Sequence, residues 1–382
     1  MVGTCRMGWF FGGLFAAMIG LFADGVAAAD FSDSSFAMNE SSYGVPMTIT
    51  NFTMPGFLVL SAVPHTALPM TRGRLAVMVQ VSAVNYFQVS PEVESYLAAT
   101  RGDVPRALTP EDVDYIVHLP EGQGFYIDGE IHFANVFLVY GVTDTIDVAL
   151  RLSAADYTGG YMDDLIYGFH DTCGIGQQGR QYVPDDQFQY VFGANGDLFT
   201  SCLDEPDSNG LLDPQIFFRF AFPWHDSPWS ASMAVGVKPP INGSDNLIST
   251  ERWDFGVFTA LQRRWNRHTF VLNAALVYPG KIIAEDRDDA SYNRPLMPSV
   301  NLSWLYRFKR WRPGEFFAQA MYAEHPLREL VKSEFTDFDF QLTIGIKWHT
   351  PQGVFSFGFT ENLFNMDNTP DFGLHISWDA YF

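Results

Sequence analysis

From Phe372 to Phe382 the chain alternates between two registers. Phe372, Leu374, Ile376, Trp378, Ala380 and Phe382 are apolar, while Gly373, His375, Ser377, Asp379 and Tyr381 are small, polar or amphipathic. Side chains alternate faces along a strand, so the pattern predicts a strand with one apolar side. Its length matches the roughly 9–11 residues that cross a bilayer as a tilted strand. Alone, the stretch fits the edge of a soluble sandwich equally well, and the rest of the chain must separate the two.

The same alternation recurs from Gly73 onward. It predicts strands over 74–88, 126–140, 145–155, 211–222, 229–238, 253–265, 268–278, 299–308, 315–322, 337–349, 354–360 and 371–382. That is about twelve, an even count, as single-chain bacterial barrels have. The connections alternate in length. Those at 89–125, 156–210, 239–252, 279–298, 323–336 and 361–370 are long; those at 141–144, 223–228, 266–267, 309–314 and 350–353 are short. Outer-membrane barrels join their strands by short periplasmic turns and long outer loops. The predicted fold is therefore all-β: a transmembrane antiparallel up-and-down β-barrel.

Two further patterns agree. Trp224, Trp229, Trp265, Trp311, Trp348 and Trp378 fall near short turns or the C-terminus, as interfacial aromatic rings do. The faces also separate. Ile146, Phe218, Trp304, Phe340 and Phe357 lie in outward registers, and the opposite registers carry charges of both signs. The stretch 126–140 is less clean, with His132 and Asn135 among apolar residues on both faces, so a bulge or thin lipid contact is expected there.

The N-terminus reads as a secretory signal: Arg6, an apolar run, then Ala27-Ala28-Ala29, which places cleavage after residue 29. The stretch 53–70 is broken as a helix by Pro55, Pro64 and Pro69. An exported chain with no spanning helix is either soluble or a closed barrel. Residues 30–72 have no period and are read as an arm that plugs the lumen or lies along the periplasmic rim. Residues 73–382 form the barrel. A formal charge of −21 argues against nucleic acid as a partner, and 35 Phe suit a wall with apolar residues on its outside.

Candidate chemistry is sparse. Asp147, Arg151, Arg219, Asp254, Arg264, Arg307, Asp339, Lys347 and His375 fall in inward registers and are assigned to the lumen. Cys173 and Cys202, in an exported chain, suggest one disulfide. The nine His show no metal spacing, the calcium-loop pattern is missing, and nucleotide, dinucleotide and Gly-x-Ser-x-Gly motifs are absent. No cofactor or metal is expected. The acidic cluster Asp163, Asp164 and Asp171 and the run from Glu285 to Asp289 read as solvated loops. His375 and Ser377 share a face, with Ser303 on another strand, which leaves a weak opening for a lipid-acting enzyme.

Tyr161-Met162-Asp163-Asp164-Leu165-Ile166-Tyr167-Gly168-Phe169-His170-Asp171, then Gly174, Gly176, Gly179-Arg180 and Pro184, carry a resemblance. Asp128-Gly129-Glu130 upstream and Glu361-Asn362-Leu363 with Thr369-Pro370-Asp371-Phe372 downstream extend it. With these motifs the chain resembles an uncharacterised Gram-negative family, domain of unknown function number three-one-eight-seven. The resemblance implies an exported outer-membrane β protein and no particular activity. The Cys pair is not part of it. Locally, 163–170 predicts a short amphipathic helix in the longest outer loop, with Leu165, Ile166 and Phe169 on one face. It is expected over the barrel mouth, with Asp163, Asp164, Tyr167, Phe169, His170, Asp171 and Arg180 either acting as a gate or simply packing as a cap.

The expected partners are outer-membrane lipid and lipopolysaccharide, a small solute, and the assembly machinery, through an aromatic final strand that resembles those it reads. Three functions stay open: a channel or transporter, a structural or ligand-binding barrel acting through its loops, and a lipid-acting enzyme.

Overall fold

The computed structural model describes residues 43–382 except 55, 103, 175, 205–208, 223, 225–226, 243–246, 281–295, 312, 327–337 and 362–368. The signal sequence, the first part of the arm and the acidic run 285–289 lie outside the described residues. In chain order the strands are β1 (Leu75–Val89), β2 (Phe125–Gly141), β3 (Ile146–Thr158), β4 (Gln189–Ala194), β5 (Asp197–Cys202), β6 (Gly210–Leu211), β7 (Gln215–Phe222) and β8 (Trp229–Lys238). They continue as β9 (Asp254–Trp265), β10 (His268–Tyr278), β11 (Met297–Arg307), β12 (Gly314–Glu324), β13 (Phe338–Thr350), β14 (Gly353–Glu361) and β15 (Phe372–Tyr381). Among the described residues three α-helices join them: α1 (Pro91–Arg101), α2 (Pro110–Val117) and α3 (Asp163–Cys173).

Twelve of these strands form one closed antiparallel barrel. β7 through β15 pair in sequence, β15 pairs with β1, and β1, β2, β3 and β7 complete the ring. The seam is tight: Ala76 faces Tyr381 and Asn85 faces Phe372, and beyond them Leu75 and Phe382 exchange main-chain bonds of 3.1 and 2.8 Å. Closure leaves no unpaired edge, which is the condition for strands to sit in lipid. Strand count, faces and the alternation of short and long connections follow the period-2 pattern.

Alternation in burial repeats around the wall. Along β9, Asp254, Gly256, Phe258, Ala260 and Gln262 are buried, while Phe255, Val257 and Thr259 are exposed. Exposed Phe218, Phe220, Leu272, Leu302, Ile346 and Phe357 continue the apolar outside. Trp224, Trp229, Trp265 and Trp311 are exposed at the short-turn end. Phe355 is in the outward register but only 3% exposed, because Trp348 and Trp378 flank it across the two neighbouring strands.

The interior is filled. Met47, Ile49, Phe52, Met54 and Phe57 of the N-terminal segment form one buried cluster with inward-facing Val84, Tyr86, Ile131, Phe133, Leu305 and Phe317. The Phe317 ring lies over Gly345 and Gly358, its neighbours across the sheet, where a Cβ would collide or crowd it. Two glycines in adjacent strands thus make the recess into which an inward phenylalanine fits.

A second layer covers the outer ends of β1 and β2. Ser90 caps α1 and Thr109 caps α2 with a capping box, each followed by a proline at the first helical position. Their apolar faces, Val93, Leu97 and Ile116, pack on Phe87, Val89, Tyr126 and Val191. β4 pairs with Phe125–Asp128 of β2, and β5 extends it as a hairpin. The mixed character of β2 has this cause: its outer half is covered on both sides. The expected bulge is not found, because the β1–β2 ladder runs without a register shift.

Candidate functional site

The inner wall binds the segment 43–72 through side chains. Lys347 Nζ donates to Val45 O at 2.6 Å, Glu315 accepts from Gly44 N at 3.1 Å, and Asn51 Nδ2 donates to Asp339 at 2.8 Å. Leu60 N donates to Asp254 at 2.8 Å, Arg219 Nη1 to Thr66 O at 2.7 Å, and Met70 N to Asp147 at 3.0 Å. These partners sit on β3, β7, β9, β12 and β13, so the segment is held from several sides. Its own main-chain groups, which form no sheet, find their partners here.

The residues assigned to the lumen are brought together by this segment and by one another. Asp147 and Arg219 form a pair with Nε–Oδ1 at 2.9 Å. Arg151 is buried, donates to Asn135 at 3.0 Å and to Ser61 at 3.1 Å, and lies over the Phe137 ring. Asp254 also faces Lys238 at 3.4 Å. Arg264 donates to Tyr43 O at 2.8 Å, and Arg307 lies over the Tyr43 ring. His375 bonds Thr360 at 2.7 Å and Ser82 at 2.9 Å and stacks on Phe52. Both its nitrogens are thereby occupied without Ser377, and Ser303 donates to Asn301, so the weak Ser/His arrangement is not assembled.

Beside the segment, at the short-turn end, lies a cavity of about 560 Å³. Met78, Phe137, Phe217, Phe258 and Val354 give it apolar walls, and Asp147 and Arg219 give it one charged side. Gln352 of the β13–β14 turn and Phe382 border it. Volume and lining match a small-molecule site.

A third constellation sits on the other side of the wall. Odd-numbered positions of β1 beyond Val81 face outward, and there Asn85 meets Arg180 and Asp163. Arg180 Nη2 donates to Asp371 and to Asn85 Oδ1, both at 2.9 Å; its Nη1 pairs with Asp163, and its guanidinium covers the Phe87 ring at 4.6 Å. Asp163 also accepts from Asp186 N at 2.7 Å. Glu130 accepts from Tyr161 N at 3.0 Å and Met162 N at 2.5 Å, which sets the entry into α3. Motifs far apart in sequence thus meet at one place.

α3 does not lie over the mouth. Met162, Ile166 and Phe372 pack with Ala83, Phe359 and Leu374, all outward-register residues, so the helix covers the outside of the wall. Those positions continue the apolar outer face upward, and the helix is what buries them. The buried face is Asp163, Ile166 and His170; Tyr167 and Phe169 are half-buried, and Asp164, Leu165 and Asp171 are exposed. Cys202 is a free thiol whose Sγ donates to Asp204 O at 2.7 Å, so the expected bridge to Cys173 is not made. The Cys173 side chain itself lies outside what is described. Sequence reading missed Asn85 and Glu361 as members of this outer group. It also missed the buried Lys238, which pairs with Asp213 at 3.3 Å. Lys238 and Glu361 are the last residues of their strands and Asn85 lies within β1; only Glu361 has a signal, as part of a motif whose place in the fold the sequence does not show.

The family described as "Protein of unknown function (DUF3187)" matches residues 115–382. No curated protein matches the chain. Among solved structures, the toluene transporter TbuX of Ralstonia pickettii is 9% identical, covering 82% of this chain and 90% of that one, with a TM-score of 0.38. The TodX deltaS2S3 mutant monoaromatic hydrocarbon channel is 8% identical over 82% and 90%, with a TM-score of 0.36. The beta domain of the Bordetella autotransporter BrkA is 10% identical over 81% and 99%, with a TM-score of 0.35. The molecule itself has the marks of a barrel of the Gram-negative outer membrane: closure, an apolar outside and an interfacial tryptophan band.

Proposed function

We propose that this chain, which belongs to the DUF3187 family of proteins of unknown function, is an outer-membrane channel for a small solute, shut at rest by the segment 43–72. The observation that carries the reading is how that segment is held. Apart from one bridge between Arg72 and Gly141 at its end, wall side chains rather than wall backbone bind it, so it can leave without opening any strand ladder. Each such hydrogen bond involves a charged side chain and contributes roughly 1.5–3 kcal/mol net, and water can replace it. The apolar anchors hold about as hard: burying Met47, Phe52 or Phe57 contributes about 1.5–3 kcal/mol each. The channel therefore rests closed and needs a trigger.

The 560 Å³ cavity beside the segment suits a solute with an apolar body and one polar or charged end, which would face Asp147 and Arg219. Lipid and lipopolysaccharide would contact the outer face, and β15, which seals the seam with β1, is the strand we assign to the assembly machinery. A second reading, a binding barrel acting through its outer layer, is favoured by the buried ionic group under α3. Proteoliposome swelling tests the first. Phe52→Ala and Phe57→Ala loosen the segment and spare the wall, so they should swell several-fold faster than the intact chain in small zwitterionic solutes. Equal rates in folded variants would sink it.

A further inference from the structure

Between α3 and the outer wall, His170, Glu361 and Asp371 offer ligand atoms that all lie within 4.8 Å of one another. All three residues are more than nine-tenths buried. His170 Nδ1, Glu361 Oε2 and Asp371 Oδ1 are buried atoms with no hydrogen-bond partner. One unpaired buried polar atom is costly; Glu361 Oε2 and Asp371 Oδ1 are two, and His170 turns its Nε2 toward Asp371 Oδ1, so the group asks for a common partner. Charge points the same way. Asp163 and Asp371 share one guanidinium, that of Arg180, and Glu361 adds a third carboxyl group beside Asp371, so carboxyl groups outnumber the guanidinium in a water-poor site. Arg180 takes Asp371 Oδ2 and leaves Oδ1 turned to the group. This is the orienting role that outer partners play for metal-binding carboxylates.

We propose that His170, Glu361 and Asp371 bind one divalent cation of the zinc class, which pins α3 to the outside of the barrel. The proposal stands whether or not the barrel conducts. An imidazole with two carboxylates favours Zn²⁺ or a neighbouring transition ion over Ca²⁺ or Mg²⁺, which take oxygen sets. In a tetrahedral zinc site, ligand atoms stand about 3.3 Å apart. His170 Nε2 and Asp371 Oδ1 are 3.8 Å apart, so binding draws the group together slightly. A water would complete the shell.

The test uses the full chain in detergent, stripped with a chelator. Zn²⁺ added against a chromophoric competitor should bind at one equivalent per chain. His170→Asn and Glu361→Gln should each weaken binding at least a hundred-fold, while Asp164→Asn, on the exposed face of α3, should leave it unchanged. Bound Zn²⁺ should also slow proteolysis within 159–188 in the wild type. Folding of each variant is checked by heat-modifiable migration. Should either variant fail to fold, X-ray absorption of the wild-type zinc complex decides. A shell of one imidazole plus oxygens supports the site; an all-oxygen or multi-imidazole shell overturns it. No stoichiometric binding by the wild type, or folded variants that bind as well as it does, would overturn it equally.

Discussion

Replacing Arg180 by Ala should detach the outer layer and leave the barrel standing. Arg180 is 2% exposed and ties α3 (through Asp163), β1 (through Asn85) and the start of β15 (through Asp371) into one buried group. Each hydrogen bond of a charged group contributes roughly 1.5–3 kcal/mol, and the contact with Phe87 adds about 0.5–2 kcal/mol. These do not simply add. The better guide is the roughly 3–5 kcal/mol lost when one partner of a buried ion pair is removed, because the carboxylates left behind stay buried without their cation. At about 1.4 kcal/mol per decade, the opening equilibrium of the layer should rise between about a hundred-fold and several thousand-fold. Hydrogen exchange on chelator-treated protein reads this directly. Amides of 163–173 and 180–188 should exchange faster by that factor, while β8 to β12 stay unchanged, since their ladders do not involve the layer. Unchanged α3 protection in a folded variant would refute the idea that this ion group holds the layer.

Other outcomes follow from the same packing. Hydrogen bonds from Thr109 and Tyr96 and the charge of Arg101 outweigh burial, which pushes the other way, and hold the Asp112 carboxyl below the usual range. The stabilisation it gives α1 and α2 is therefore full above the ordinary carboxylate pKa of about 4 and is lost as pH falls below it. Protease sensitivity of 102–109 should rise on acidification in the wild type, and an Asp112→Asn protein that kept the same pH profile would contradict this. Thr109→Ala removes a capping box and should loosen α2 by about 1 kcal/mol, read as faster exchange of its first-turn amides. Gly345→Val drives atoms into the Phe317 ring and the Phe357 carbonyl, so the heat-modifiable folded band should be lost. Gly168→Ala, with nothing within 4 Å of the new Cβ, should instead stabilise α3 by roughly 0.5–1 kcal/mol.

The wall was legible in the sequence because its physics is local. A period of two, alternating loop lengths and interfacial tryptophans are written residue by residue, and β8 and β10 start and stop where the pattern does. α1 and α2 were equally written, in Ser90-Pro91-Glu92 and Thr109-Pro110-Glu111-Asp112, but the stretch 89–125 reads as loop when only strand periodicity is followed. The inward charges were legible as a register, whereas their partners were not: Lys347 bonds Val45 and Asp254 bonds Leu60 across the interior, at separations no local pattern encodes. The side of the wall taken by α3 was illegible for a related reason. An amphipathic helix shows that it buries one face, and only the fold shows that the apolar surface waiting for it is Phe359, Phe372 and Leu374 outside rather than the lumen inside.

Single-channel recording in planar bilayers, comparing the intact chain with one lacking residues 43–70, tests the central claim most directly. The account predicts a wall that still folds and inserts, a silent intact protein, and steady ohmic steps from the shortened one. A folded, inserted, shortened barrel as silent as the parent, or a parent that already conducts as well, would contradict it.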